Sequence, residues 1–332
     1  MARVANSGPV PVVVMGLGAI GREIARASLQ SEEVTLVGAV DTHPALVGKR
    51  LDALGVPSSL EVEPELRRGA SRGRRPVLLH ATGSTLPAVA DQLLAAVKEG
   101  HPVVSTCEEL SFPWVRHPQL SERLERAAQR AGVSVLGTGV NPGFVLDRLV
   151  ATLGQTLGPV RHVLVRRVVD ARGRREALQR KIGAGLSEDE FDALAADGAV
   201  GHVGLLESAA LCALGLGLDL EEYEEEVAPV IAHEDIPGGA FLVPRGRVAG
   251  VNQTVVGLVD GQEIVRLELM LALGAEPPGD HIVIESSTRL GVEIPGGIPG
   301  DSATAQLVVH AAPRVASAES GLLTVLDLPA GR

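Results

Sequence analysis

The chain has 332 residues, 45% hydrophobic and 21% charged, with a formal net charge of −11, enough apolar mass for a large core in two domains. The acidity argues against nucleic acid or an anionic membrane as the main partner, and one Trp, one Tyr and four Phe supply no stacking platform for single strands. Cys107 and Cys212 are too few for a disulfide scaffold, the nine His show no metal-ligand spacing, and no run reaches the roughly 18 apolar residues of a membrane span. Met1 to Pro11 lacks the apolar centre of a signal peptide, so a cytoplasmic protein without a metal is expected.

From the N-terminus the pattern alternates between strand-like and helix-like segments, with strands over 10–15, 34–40, 76–81, 102–105 and 133–137. Helices are expected over 19–29, 86–98 and 121–131, the last with Ser121 as N-cap and Gly132 as C-cap. The arginine-rich segment 67–75 reads as a solvated loop. Near Val145 the pattern changes. A helix over 147–157 leads into a strand over 160–169, and apolar alternation recurs over 248–259, 263–271 and 281–286. Helices fall between 187 and 231, and the acidic run 221–226 reads as a solvated helix face. Helical spacing over 304–318 and a strand over 322–326 end the chain. The expected architecture is α/β: a Rossmann-type doubly wound parallel sheet over 1–145, completed by 300–332, and a second α+β domain over 146–299 with a mostly antiparallel sheet.

The first strand runs directly into Gly16-Leu17-Gly18-Ala19-Ile20-Gly21. Gly16 permits the sharp turn from strand to helix, Gly18 lets backbone approach a pyrophosphate, and Gly21 lets helix pack on strand; Leu17, Ala19 and Ile20 complete this dinucleotide-binding loop. Asp41 ends the second strand, about 20 residues further on, where a carboxylate accepts hydrogen bonds from the adenosine ribose. It favours NAD by repelling a 2′-phosphate, although Lys49 and Arg50 nearby leave NADP open. A turn-forming role for Asp41 is the competing reading.

Proton handling narrows by exclusion. Tyr223 is the sole Tyr and has no Lys four residues on, zinc ligands are absent, and Lys49, Lys98 and Lys181 are the only lysines. The end of the fourth strand, Ser105-Thr106-Cys107-Glu108-Glu109-Leu110, places a thiol and two carboxylates at the mouth of the sheet. Cys107 reads either as an aldehyde dehydrogenase nucleophile or as a small buried residue. Glu108 and Glu109 read either as a general acid/base pair or as first-turn residues of the next helix. A non-catalytic nucleotide-sensing module would keep the glycine loop and need no glutamate.

Taken together, the glycine loop, the Thr-Cys-Glu-Glu-Leu strand end, Gly137-Thr138-Gly139-Val140-Asn141-Pro142-Gly143-Phe144, and the segments Gly300-Asp301-Ser302-Ala303-Thr304 and Leu323-Thr324 resemble the 2,4-diaminopentanoate dehydrogenase and native amine dehydrogenase family. The resemblance spans the chain and implies a dihydrodipicolinate reductase-like fold. It also implies NAD(P)-dependent deamination of an amine to a ketone or aldehyde plus ammonia, with reductive amination as the reverse reaction. It places the catalytic glutamate at Glu108 and the cofactor contacts at the glycine loop, Asp41, Thr82, Gly83, Cys107 and Asn141. On the substrate side it places Asn141, Phe144, Arg166 and Thr304, with His202 a candidate pocket residue; Asn141 and Phe144 also read as a Pro-Gly turn with a core Phe, and His202 equally as a structural histidine. The arginines at 166, 167, 172, 174 and 175 are equally consistent with a solvated or intersubunit face. No His-His pair precedes a nearby Lys, which disfavours a true dihydrodipicolinate reductase. The expected partners are a small amine, ketone or aldehyde, ammonia, and a second copy of the chain in a homodimer. The substrate is either a small aliphatic compound or 2,4-diaminopentanoate itself.

Overall fold

The computed structural model describes residues 8–66, 75–238, 241–329 and 331. The chain divides into two units, one running to Phe144 and resuming at Pro299, the other spanning Val145–Ile298. In chain order the first unit contains β1 (Val10–Met15), α1 (Ala19–Gln30), β2 (Val34–Val40), β3 (Val62–Glu63), β4 (Val77–His80), α2 (Leu86–Lys98), β5 (Val103–Ser105), α3 (Pro118–Ala131) and β6 (Ser134–Gly137). The second contains α4 (Arg148–Gly154), β7 (His162–Asp170), α5 (Glu176–Lys181), α6 (Glu188–Ala196), α7 (Leu205–Leu216), β8 (Glu222–Ile231), β9 (Ile236–Pro237), β10 (Leu242–Val243), β11 (Val248–Val259), β12 (Gln262–Ala272), β13 (Gly279–Glu285) and β14 (Arg289–Pro295). The chain then returns to the first unit with α8 (Gly300–Val315) and β15 (Gly321–Leu323).

The first unit is a seven-stranded sheet in the order β15-β6-β5-β4-β1-β2-β3, with every pairing parallel. Its central strands are apolar throughout because a parallel sheet is covered on both faces: Val77, Leu78, Leu79, Val103 and Val104 are fully buried. Strand order reverses at β1, which lies between β2 and β4, so a crevice opens at the carboxyl ends of β1 and β4. The second unit is a six-stranded sheet in the order β14-β13-β7-β12-β11-β8, antiparallel except for the parallel pair β7 and β12. Helix α7 packs on β11 and β12. In β7 the residues Val163, Val165 and Arg167 are buried, while the alternating His162, Leu164 and Arg166 lie on the more open face.

Several elements differ from the sequence reading. The acidic run belongs to strand β8 rather than a helix. Pairing with β11 decides its conformation, and as an edge strand paired only with β11 it carries exposed Glu222, Glu224, Glu225 and Glu226, which discourage edge-to-edge pairing. Helix α3 starts three residues earlier than Ser121, because Pro118 supplies a pre-set first turn. Ser121 is buried inside the helix and donates to the His117 carbonyl at 2.8 Å. The last strand stops at Leu323, where Thr324 caps a short 3-10 turn over Val325–Asp327. Helix α4 covers only Arg148–Gly154; the Asp147 carboxylate caps it by accepting from the Arg148 amide at 2.6 Å and also accepts from the Ser208 hydroxyl at 2.8 Å. Strand β14 and helix α5 were not anticipated. Most of the arginine-rich loop, residues 67–74, lies outside the described residues.

Candidate active site

The glycine loop begins where β1 ends. Gly16 has φ +88°, and a Cβ there would meet the Ala81 carbonyl oxygen at 2.5 Å, while a Cβ at Gly21 would lie 1.6 Å from the Gly16 carbonyl oxygen. Both positions therefore require glycine. At Gly18 a Cβ would meet nothing within 4 Å, so the backbone before α1 faces open space. No side chain caps α1, which leaves its first amide groups and the positive end of its dipole for an anion. A cavity of about 790 Å³ follows, lined in part by Gly16, Gly18, Asp41, Thr82 and Gln92. The open cradle at Gly18, the uncapped helix and the cavity together fit a dinucleotide.

The Asp41 carboxylate accepts from the Leu17 amide at 2.6 Å and from the His43 amide at 2.8 Å. One oxygen thus pins the glycine loop and the other shapes the following turn. Asp41 also lines the cavity, so the same side chain that shapes the turn borders that space. Arg50 pairs with Asp52 at 2.5 Å, and both side chains are largely exposed. Gly83 sits at the start of the connection between β4 and α2, where a Cβ would lie 2.9 Å from a Val89 methyl.

The strand end at β5 turns into a 3-10 helix over Glu108–Ser111. Successive residues of a 3-10 helix point about 120° apart, so adjacent acids cannot share an environment. Glu109, Leu110 and Ser111 are buried, and Glu108 is half-buried. The Glu109 carboxylate accepts from the Leu86 amide and from His117 Nε2, each at 2.7 Å. It therefore does cap a helix, but α2, which precedes it in the chain, rather than the helix that follows. Cys107 is fully buried, its thiol donates to the Ser84 carbonyl at 3.2 Å, and burial pushes its pKa up to about 12. Such a thiol yields no thiolate near neutral pH, which removes the nucleophile reading.

A group that the sequence reading missed lies under this turn. His80 ends β4 and is fully buried. Its Nδ1 lies 2.8 Å from Ser105 Oγ, and its Nε2 lies 2.7 Å from Thr82 Oγ1 and 3.1 Å from Gln92 Oε1. The Thr82 hydroxyl donates to Gln92 Oε1 at 2.7 Å and Ser105 Oγ accepts from the Cys107 amide at 3.0 Å. With Thr82 donating onward, the proton sits on His80 Nε2 and the Ser105 hydroxyl donates to Nδ1. The available signal was a polar residue closing the otherwise apolar strand Val77-Leu78-Leu79-His80.

The other expected site residues are distributed over the two units. Thr304 lies in the first turn of α8, and its hydroxyl accepts from the Val140 amide at 3.1 Å, tying that helix to the loop that carries Asn141. Asn141 and Phe144 are both half-buried. In the second unit Arg166 pairs with Glu268 at 2.6 Å, and the His202 amide donates to Gln253 Oε1 at 2.9 Å. Arg167 is a core residue: its guanidinium is 3% exposed and pairs with the buried Asp280 at 2.6 Å. Arg172 pairs with Asp170 at 2.7 Å. Among the described residues no His, Cys, Asp or Glu group is placed to hold a metal ion, and no helix is long and apolar enough to cross a membrane.

Burial holds the His80 pKa at about 4, below the ordinary 6.5, against the opposing effect of its Gln92 hydrogen bond. Between those two values the unfolded chain binds a proton that the folded chain does not, so stability rises with pH across that window. The contribution amounts to about 3 kcal/mol, complete above about pH 6.5 and lost as pH falls toward 4. Urea denaturation at a series of pH values should show this slope in the parent chain and its loss in His80→Asn; an unchanged slope would contradict the assignment.

The comparisons with known proteins follow the same lines. The chain is 28% identical to the 2,4-diaminopentanoate dehydrogenase of Acetoanaerobium sticklandii, over 97% of this chain and 94% of that protein. It is 24% identical to an amine dehydrogenase of Streptomyces virginiae, over 96% of each. The solved structure of an amine dehydrogenase from Mycobacterium smegmatis superposes with a TM-score of 0.85 over 98% of both chains, at 23% identity. The family model for the 2,4-diaminopentanoate dehydrogenase C-terminal domain matches residues 144–332, more than half of the chain, and the chain belongs to that family.

Proposed function

We propose that the protein is an NAD(P)-dependent amine dehydrogenase that interconverts a small primary amine with a ketone or aldehyde plus ammonia, with Glu108 as its acid/base. The observation that carries this reading is the division of the two adjacent acids: Glu109 is consumed by structure, while Glu108 stays half-buried at the carboxyl end of the parallel sheet, the end at which the glycine loop lies. Family membership and the named relatives support it.

In the amination direction Glu108 attracts ammonium and takes its proton, so that neutral ammonia attacks the carbonyl carbon. The same carboxylate moves a proton from the carbinolamine nitrogen, and the hydroxyl leaves as water after protonation. An iminium cation results, and its positive charge is stabilised by the carboxylate far more strongly in a partly desolvated site than in water. When bound, the nicotinamide supplies the hydride that completes the amine, or accepts it in deamination. Gly16, Gly18 and the uncapped α1 would hold the pyrophosphate and Asp41 the ribose; Thr82 borders the same cavity, and Gly83 follows it in the chain. Cys107 contributes to this region through the shape of its turn rather than its thiol. Asn141 and Phe144, in the loop fastened by Thr304, are assigned to the substrate side. The carboxylate at Asp41 favours NAD, with Arg50 turned to Asp52.

The second unit is assigned substrate recognition and self-association. On the open sheet face Val256, Arg266, Leu164 and Val283 lie side by side across β11, β12, β7 and β13. The neighbouring Arg166–Glu268 pair places both charge signs on one patch, which suits the two-fold pairing of identical surfaces. A homodimer through this face should run at twice the chain mass in sedimentation equilibrium, and Leu164→Glu should dissociate it; a monomeric parent chain would contradict the assignment.

Glu108→Gln should lower turnover by about 10²–10⁴-fold, the usual worth of a general base, while fluorescence titration shows NADH binding nearly unchanged and tighter than NADPH. Near-normal turnover in that variant would remove Glu108 from the chemistry.

A further inference from the structure

We infer that Glu109 is the positioning residue of this active site: by binding the first amide of α2 and the ring of His117 together, its carboxylate sets the turn that aims Glu108. The inference rests on the amine dehydrogenase reading for the reaction, although the strap itself is a property of the fold.

The residue before α2, Thr85, makes no side-chain cap. The Leu86 amide is therefore one of the helix's orphan donors, and Glu109 Oε2 satisfies it from 23 residues away at 2.7 Å. A carboxylate at a helix N-terminus is also favoured by the dipole. The same oxygen accepts a hydrogen bond from His117 Nε2, at the residue preceding α3. Because a carboxylate only accepts, the ring nitrogen facing it must carry hydrogen. One buried oxygen thus joins the starts of two helices.

Backbone bonds close the strap. The Ser84 carbonyl accepts from the Glu109 amide at 3.2 Å and from the Cys107 thiol at 3.2 Å, one on each side of Glu108. The Thr106 amide donates to the His80 carbonyl at 2.9 Å, and the Cys107 amide to Ser105 Oγ at 3.0 Å. Residues 106–109 are therefore stitched to residues 80–86, and that second segment includes Thr82 on the nucleotide cavity. If the Glu109 anchor is lost, the turn can rotate about its remaining bonds, and Glu108 turns with it. Misplacement of a catalytic group by about 1 Å costs on the order of 10²-fold.

The test uses Glu109→Ala, Glu109→Gln and His117→Ala in the full chain. For each variant, ammonia-dependent NADH oxidation, NADH binding by fluorescence and hydrogen exchange at the Leu86 and Cys107 amides are measured. Glu109→Ala should lose about 30–100-fold in kcat, with NADH affinity held by the intact glycine loop. Its Leu86 and Cys107 amides should exchange faster. Glu109→Gln keeps an acceptor oxygen for both donors, so it should recover most of the kcat and the slow exchange. His117→Ala should fall between the two.

Full kcat in Glu109→Ala would overturn the proposal. So would a Glu109→Gln variant as inactive as Glu108→Gln, since that would make Glu109 a chemical group. Should Glu109→Ala fail to fold, unchanged kcat and exchange in His117→Ala would overturn the proposal equally. A parent chain without ammonia-dependent turnover would remove the amine dehydrogenase reading alone, and the exchange measurements would still decide whether Glu109 holds the turn.

Discussion

The site depends on one close approach. With no Cβ at residue 21, α1 can pass so near the end of β1 that any side chain atom there would fall 1.6 Å from the Gly16 carbonyl oxygen. That approach brings the first turn of α1 against the sheet just where strand order reverses, and it aims uncapped amide groups at the crevice. The bond from the Leu17 amide to Asp41 then ties the loop to the end of the neighbouring strand. The cradle proposed for phosphate and ribose thus rests on one backbone constraint and one carboxylate.

A second constraint sorts the acids. The tight turn after β5 forces Glu108 and Glu109 into different surroundings, one half-buried and the other drawn to the start of α2. Beneath them, desolvation keeps His80 neutral near physiological pH, so it serves as a hydrogen-bonded spacer between Thr82 and Ser105 and does not compete as an acid. Cys107 is silenced by the same means, its pKa raised by burial to about 12. Around Glu108 the neighbouring groups are therefore satisfied or desolvated.

The parts of this arrangement legible in the sequence are those in which local spacing alone determines geometry. The glycine loop, the apolar parallel strands and the cluster at 105–110 are contiguous, so periodicity and residue type suffice to place them. Local pattern failed where a neighbour decided the outcome. Pro118 started α3 ahead of Ser121, and pairing with β11 turned the glutamate run into β8. The Glu109 strap was out of reach because its partners lie 23 and 8 residues away, and its Leu86 partner is a backbone amide that no residue type advertises. Of the roles open to the paired acids, Glu109 takes the structural one and caps a helix.

On the proposed reading, Glu108 activates ammonia rather than water or a hydride acceptor alone. The most direct measurement follows NADH absorbance with a series of small aliphatic ketones and aldehydes, in the presence and absence of high ammonium. NADH should be consumed only when ammonium is present, with the corresponding primary amine as product. Consumption that proceeds equally without ammonium would contradict it.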